Sequence, residues 1–149
     1  MARTLFDKIW DQHLIADLGD GTGLLAIDRI LLHERTGGVA LQSLAEAGRR
    51  PVMPRQTFVT MDHVVDTLPG RTDRTIMPTG RDFIVATRTA ARDAGLTLFD
   101  LGDPGQGIVH VISPEQAIVL RNMRWRLARY ARRSPGGCGS PSTANWRPG

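Results

Sequence analysis

Apolar positions along the chain switch between a helical spacing and an alternating one, and the switches mark the elements. Thr4 precedes an apolar set at Leu5, Phe6, Ile9, Trp10 and Leu14, spaced for one face of a first helix, with Asp7, Lys8, Asp11 and Gln12 on the wet side. His13 falls near the end of that helix, where the helix dipole favours its positive form. Gly19-Asp20-Gly21-Thr22-Gly23 is a turn before a short strand at residues 24–27. A phosphate-cradling loop needs its glycines after a strand and before a helix, the reverse of what stands here, so that reading is excluded. Val39, Leu41, Leu44 and Ala45 predict a short amphipathic helix stopped at Gly48, and Pro54 keeps the following loop extended.

The stretch Thr57-Phe58-Val59-Thr60-Met61-Asp62-His63-Val64-Val65 organises the rest. Its alternation predicts a strand with Phe58, Thr60 and Asp62 on one face and Val59, Met61 and His63 on the other. Residues 81–94 predict a helix with Phe83, Ile84, Ala90, Ala91 and Ala94 inward and Arg81, Arg88 and Arg92 outward, stopped by Gly95. A strand at 96–101 and a turn at 102–105 follow. Residues 107–113 predict a further strand with Ile108, His110 and Ile112 on one face. Ser113 then caps a helix with Pro114 at its first position and Gln116 completing a capping box, burying Ala117, Ile118 and Leu120. Strands alternating with helices predict an α/β fold, a mostly parallel sheet with helices on its faces.

Composition narrows the class. A chain of 149 residues suffices for one domain and one core. An apolar fraction of 41% and a mean hydropathy of −0.19 are those of a water-soluble globular protein, and no apolar run approaches the roughly 20 residues that span a bilayer. One cysteine excludes an internal disulfide framework, and the start lacks the apolar core of a signal peptide, so a cytoplasmic location is expected. The net charge of +4 conceals a split: residues 1–120 hold 12 basic and 15 acidic side chains, whereas residues 121–149 hold seven arginines and no acid. Of 19 basic residues 18 are arginine, the bias of GC-rich coding, which weakens arginine content as a sign of nucleic-acid binding.

Candidate chemistry gathers at strand ends, where α/β sheets place their sites. Asp62 and His63 arrive where their strand runs out, which fits either a surface ion pair or a pair that handles a proton. His33 sits in Asp28-Arg29-Ile30-Leu31-Leu32-His33-Glu34, where Asp28, Arg29 and Glu34 read as structural ion-pairing groups and His33 as a residue that either lines a cleft or is satisfied locally. Arg71 and Arg74, in a polar loop after the central strand, either attract an anionic substrate or stay solvated. His110 reads as a buried histidine or as part of an anion-binding site at a helix start.

Five segments occur in order: Ile27-Asp28-Arg29; Leu32-His33-Glu34; Thr57 through His63; Gln106-Gly107-Ile108-Val109-His110-Val111; and Pro114-Glu115-Gln116. Together they resemble the amino-terminal part of the 3-isopropylmalate dehydratase large subunits, iron–sulfur hydro-lyases of the aconitase family. The resemblance covers residues 1–120 and implies the amino-terminal part of an aconitase-type α/β domain. It implies dehydration of a 2-hydroxy dicarboxylate and rehydration with the hydroxyl moved one carbon over, interconverting 2- and 3-isopropylmalate in leucine biosynthesis. Homoaconitase and methylmalate-type dehydratases share the motifs and remain alternatives. By match to the family motif, His63 would be the general acid, Asp62 its orienting carboxylate and His110 the second active-site histidine. The Asp62–His63 pairing requires the strand to end or kink between them, since neighbours on a regular strand point opposite ways.

The resemblance also implies a [4Fe–4S] cluster held by three cysteines and a separate small subunit as partner. Its cluster ligands lie far beyond this chain, so the chain is expected to be incomplete and inactive by itself. Residues 121–149 do not match: their Arg, Gly, Pro and Ser composition, with Trp125, Tyr130 and Cys138, predicts a disordered basic tail and suggests a frameshifted or truncated product. A nucleic-acid-binding module built on that tail, with Trp125 and Tyr130 for stacking, is the alternative from another class; neither nucleic acid nor membrane is the expected partner.

Overall fold

A computed structural model of the chain describes residues 3–119. The burial of Leu120 and the disorder expected of residues 121–149 lie outside them. The first helix, α1 (Leu5–His13), begins in a reciprocal capping box: Thr4 Oγ1 accepts from Asp7 N at 3.1 Å while the Asp7 carboxylate accepts from Thr4 N, also at 3.1 Å. Of its expected apolar face only Trp10 is buried; Leu5 and Phe6 are exposed. The helix stops at His13 and the chain turns at once into a two-stranded antiparallel hairpin, β1 (Leu14–Gly19) with β2 (Thr22–Leu25). Leu14 therefore begins a strand that the helical spacing had absorbed. Asp20 and Gly21 link the strands with φ of 50° and 70°, the left-handed pair that a tight hairpin turn needs and that Gly and Asp tolerate.

The second sheet carries the site. Strands β3 (Ile30–His33), β4 (Thr57–Thr60) and β5 (Thr97–Phe99) lie parallel in that order. Helix α2 (Glu34–Glu46) connects the first pair and α3 (Gly80–Asp93) the second, so the expected parallel sheet with flanking helices is present. The helix predicted around 39–45 starts earlier, directly at the end of β3, and Gly48 follows it at φ +67°. Leu41, Val59, Ala91 and Leu96 form the core between the sheet and these two helices. Gly38 lets them approach: a Cβ there would stand 2.5 Å from Thr87 Oγ1. Met61, Val64 and Ile84 extend the packing past the end of β4, while Leu31, Val109 and Ile118 pack with Phe58 and Phe99 in a separate cluster.

One expected element is overturned. Residues 107–113 are not a strand; Val109–Glu115 form a short helix, α4, and Ser113 and Pro114 lie near its end instead of at its start. The helix is set by a distant residue: Asp62 Oδ2 accepts the Val109 N–H at 2.7 Å and caps its first turn. Pro114 is tolerated there because Ser113 Oγ, at 3.4 Å from the His110 carbonyl, takes the acceptor that proline has no N–H to reach. Ala117 is exposed and only Ile118 of the expected inner positions is buried. Among the described residues no helix is long and apolar enough to cross a membrane.

Candidate active site at the carboxyl end of the parallel sheet

The regular part of β4 ends at Thr60, two residues before Asp62. Freed from the strand's alternation, Asp62 and His63 turn toward one another, and His63 Nδ1 lies 2.5 Å from Asp62 Oδ1. The Asp62 side chain is 1% exposed and that of His63 45% exposed, so a buried carboxylate holds an imidazole that reaches solvent. With Nδ1 engaged on Asp62, Nε2 is the nitrogen directed to other partners.

The backbone of this turn is fixed from the neighbouring strand. Glu34, at the junction of β3 and α2, is fully buried. Its Oε2 accepts from Asp62 N at 2.9 Å, and its Oε1 accepts from both His63 N and Val64 N at 2.5 Å. Thr87 Oγ1 of α3 donates to the Glu34 carbonyl at 2.9 Å. The ion-pair role expected of Glu34 is thus replaced by a hydrogen-bonding one, and Asp28 meets His13 Nε2 at 3.0 Å while Arg29 Nη1 donates to the Asp28 carbonyl at 2.7 Å.

His33 precedes Glu34, and its ring stacks on His63 with centroids 3.7 Å apart and planes 9° from parallel. Burial holds the His33 pKa below the usual 6.5, and the adjacent His63 pushes the same way, against Asp62 and Glu34. Its Nδ1 is enclosed without a hydrogen-bond partner, and its Nε2 lies 3.4 Å from Thr36 Oγ1.

The remaining expected residues fall differently. Arg71 Nη2 donates to Gln106 Oε1, and Gln106 Nε2 donates to the Met61 carbonyl at 2.5 Å, so Gln106 ties Arg71 to the residue before Asp62. The Arg71 Nε is enclosed without a partner. Arg74 is exposed on the same loop, with its backbone N–H on Thr72 Oγ1. His110 lies exposed in the first turn of α4, next to the residue that Asp62 caps. Sequence reasoning missed Glu34 and Gln106 as organisers; Glu34 stands between His33 and Arg35, and nothing in that run marks it as buried.

Donor atoms of His33, Glu34, Asp62 and His63 lie within 4.8 Å of one another, a grouping that invites a metal reading. Geometry argues against it. Both carboxylates already accept from backbone or imidazole, and two parallel stacked rings cannot both aim an in-plane lone pair at one ion. A groove of about 690 Å³ also runs between α2 and α3, lined by residues such as Leu41, Ala45, Arg50 and Ala90. Its lining contains none of His33, Glu34, Asp62 and His63, so it is separate from this cluster.

Residues 7–126 match the aconitase family (aconitate hydratase). Over 118 residues, 79% of this chain, the sequence is 45% identical to 3-isopropylmalate dehydratase large subunit 1 of Bradyrhizobium diazoefficiens. The chain belongs to the aconitase family. It spans 24% of that curated relative's length. No solved structure matches it. The iron–sulfur cluster typical of the aconitase family needs thiolate ligands, three of them for a cluster with one open iron. This chain has a single cysteine, Cys138, outside the described residues, and the clustered side chains offer only nitrogen and oxygen. The donors present do not fit that cofactor.

Proposed function

We propose that this chain supplies the proton-handling part of a hydro-lyase that acts on a 2-hydroxy dicarboxylate, of the 3-isopropylmalate dehydratase type that serves leucine biosynthesis. The observation that carries the reading is the Asp62–His63 pair: a buried carboxylate 2.5 Å from Nδ1 of a solvent-reaching imidazole, at the carboxyl end of a parallel strand. Hydroxide is a poor leaving group, and its departure needs a proton delivered to the oxygen as the carbon–oxygen bond breaks. His63 Nε2 delivers that proton. Asp62 fixes the tautomer and stabilises the charged ring, and its second oxygen is held by Val109 N so that the carboxylate cannot swing away.

Arg71, tethered through Gln106, is the guanidinium placed to meet a substrate carboxylate, with Arg74 on the outer part of the same loop. His33 borders His63 and contacts the substrate as a neutral ring, and His110 adds a second imidazole beside the Asp62-capped turn. This chain spans 24% of its curated relative's length, and we assign the remaining groups of the reaction to the rest of such an enzyme, with a small subunit as its partner.

A segment exchange tests this. The 118 matching residues of the Bradyrhizobium large subunit are replaced by those of this chain, and the hybrid is expressed with its small subunit in a leucine auxotroph. Growth without leucine is expected. A hybrid that is soluble and assembled but supports no growth, and shows no turnover of isopropylmalate, contradicts the reading; turnover of a shorter hydroxy dicarboxylate instead moves it to a related dehydratase.

A further inference from the structure

The described residues place one fully buried carboxylate where no cation meets it. Glu34 is 0% exposed, and its two side-chain oxygens accept three consecutive backbone N–H groups, those of Asp62, His63 and Val64. Burying a carboxylate is costly, and hydrogen bonds to its charged form are the means by which a protein offsets that cost. A carboxylate committed to three consecutive loop amides, that of buried Val64 among them, satisfies donors that the β4 ladder no longer pairs, and this implies that the loop conformation itself is what is being fixed.

The loop concerned is the one that breaks the alternation of β4. After Thr60 the chain leaves the ladder, and Asp62 and His63 must come onto one side for their side chains to meet. Three N–H groups converging on one anion is a concave backbone arrangement of the kind that normally grips a bound anion. Here the anion is internal. Glu34 itself is placed by the first turn of α2 and by Thr87 Oγ1, which holds its carbonyl from α3. The geometry points to Glu34 as a positioning residue, whose carboxylate clamps residues 62–64 so that Asp62 and His63 are held in hydrogen-bonding contact. The clamp rests on the proposed function only for the use to which the pair is put.

The experiment needs no turnover and uses the whole 149-residue chain. In the unaltered protein, amide hydrogen exchange at Asp62, His63 and Val64 should be as slow as in the β4 ladder, although these residues lie outside any strand or helix. Exchange at the rate of an open loop overturns the clamp without any variant being made. In Glu34→Gln one oxygen becomes a donor that clashes with the N–H groups. Exchange at the three amides should then accelerate about tenfold or more relative to Val59 and Ile84, as expected when charge-assisted bonds are lost. The strongly deshielded proton of the short His63–Asp62 hydrogen bond should disappear from the NMR spectrum of the folded protein. A folded Glu34→Gln chain that merely melts earlier, with that proton in place and the three amides still protected, shows a purely structural carboxylate and overturns the proposal. Failure of the segment exchange in the auxotroph would leave these spectra unaffected, so the two readings fail separately.

Discussion

The imidazoles of His33 and His63 lie face to face, 3.7 Å between centroids and 9° from parallel. Two charged rings at that separation repel, and burial already disfavours a proton on His33, which titrates below its ordinary 6.5. The unfolded chain then binds a proton at His33 that the folded chain resists. Its stabilisation is complete above pH 6.5 and is lost as pH falls through that value toward the depressed one. Urea unfolding at pH about 7.5 and about 5.5 should show a smaller acid loss for His33→Gln than for the unaltered chain. An equal loss in both would contradict the assignment of a depressed imidazole.

Asp62 has two oxygens and two tasks, one on His63 Nδ1 and one on the Val109 N–H. Asp62→Ala should therefore destabilise the chain by about 2 kcal/mol, the cost of a lost helix cap that leaves a buried N–H unsatisfied. Hydrogen exchange should rise selectively across Val109–Glu115. A uniform change across the sheet would point to general loosening instead.

The same bond explains how far the sequence could be read. The parallel core was legible because Val59, Ile84, Ala91 and Leu96 follow strand and helix spacings with clear stops at Gly48 and Gly95. Asp62 and His63 were legible because the strand pattern ends in them. The run Ile108-Val109-His110-Val111-Ile112 was not, since its branched residues favour a strand by propensity while the cap that makes them helical arrives from 47 residues away. Glu34 was misread for a similar reason: its three partners are backbone amides of another segment, and no residue type announces them. Leu14 was lost to helical spacing that continued past the true end of α1.

Close packing of α2 on α3 leaves no room at Gly38. A methyl group there would meet Thr87 Oγ1 at 2.5 Å and the Thr87 backbone at 3.1 Å. Gly38→Ala should lower stability by about 1–3 kcal/mol, despite alanine's better helix propensity. Denaturant midpoints check this; a neutral or stabilising result would show the two helices to be less tightly held.

Arg88 binds Asp73 through both terminal nitrogens, at 2.7 and 2.8 Å, and Asp100 through Nε at 2.6 Å, tying the Arg71–Arg74 loop to α3 and the end of β5. These bonds raise the Arg88 pKa further and hold the Asp73 carboxyl below its usual 3.8, chiefly through the hydrogen bond from Arg88. Arg88→Met should cost about 2 kcal/mol near neutrality. The Asp73 contribution is present above pH 3.8 and lost as pH falls through its depressed value, so the variant's deficit should shrink in acid. A deficit independent of pH would place the effect in packing.

The central claim is that His63 hands a proton to a departing hydroxyl. Its most direct test is the turnover of 2-isopropylmalate by the assembled hybrid enzyme carrying His63→Gln. The account predicts kcat lower by about 10²–10⁴-fold with KM little changed, as for loss of a general acid. A kcat within a factor of about two of the unaltered hybrid would contradict it.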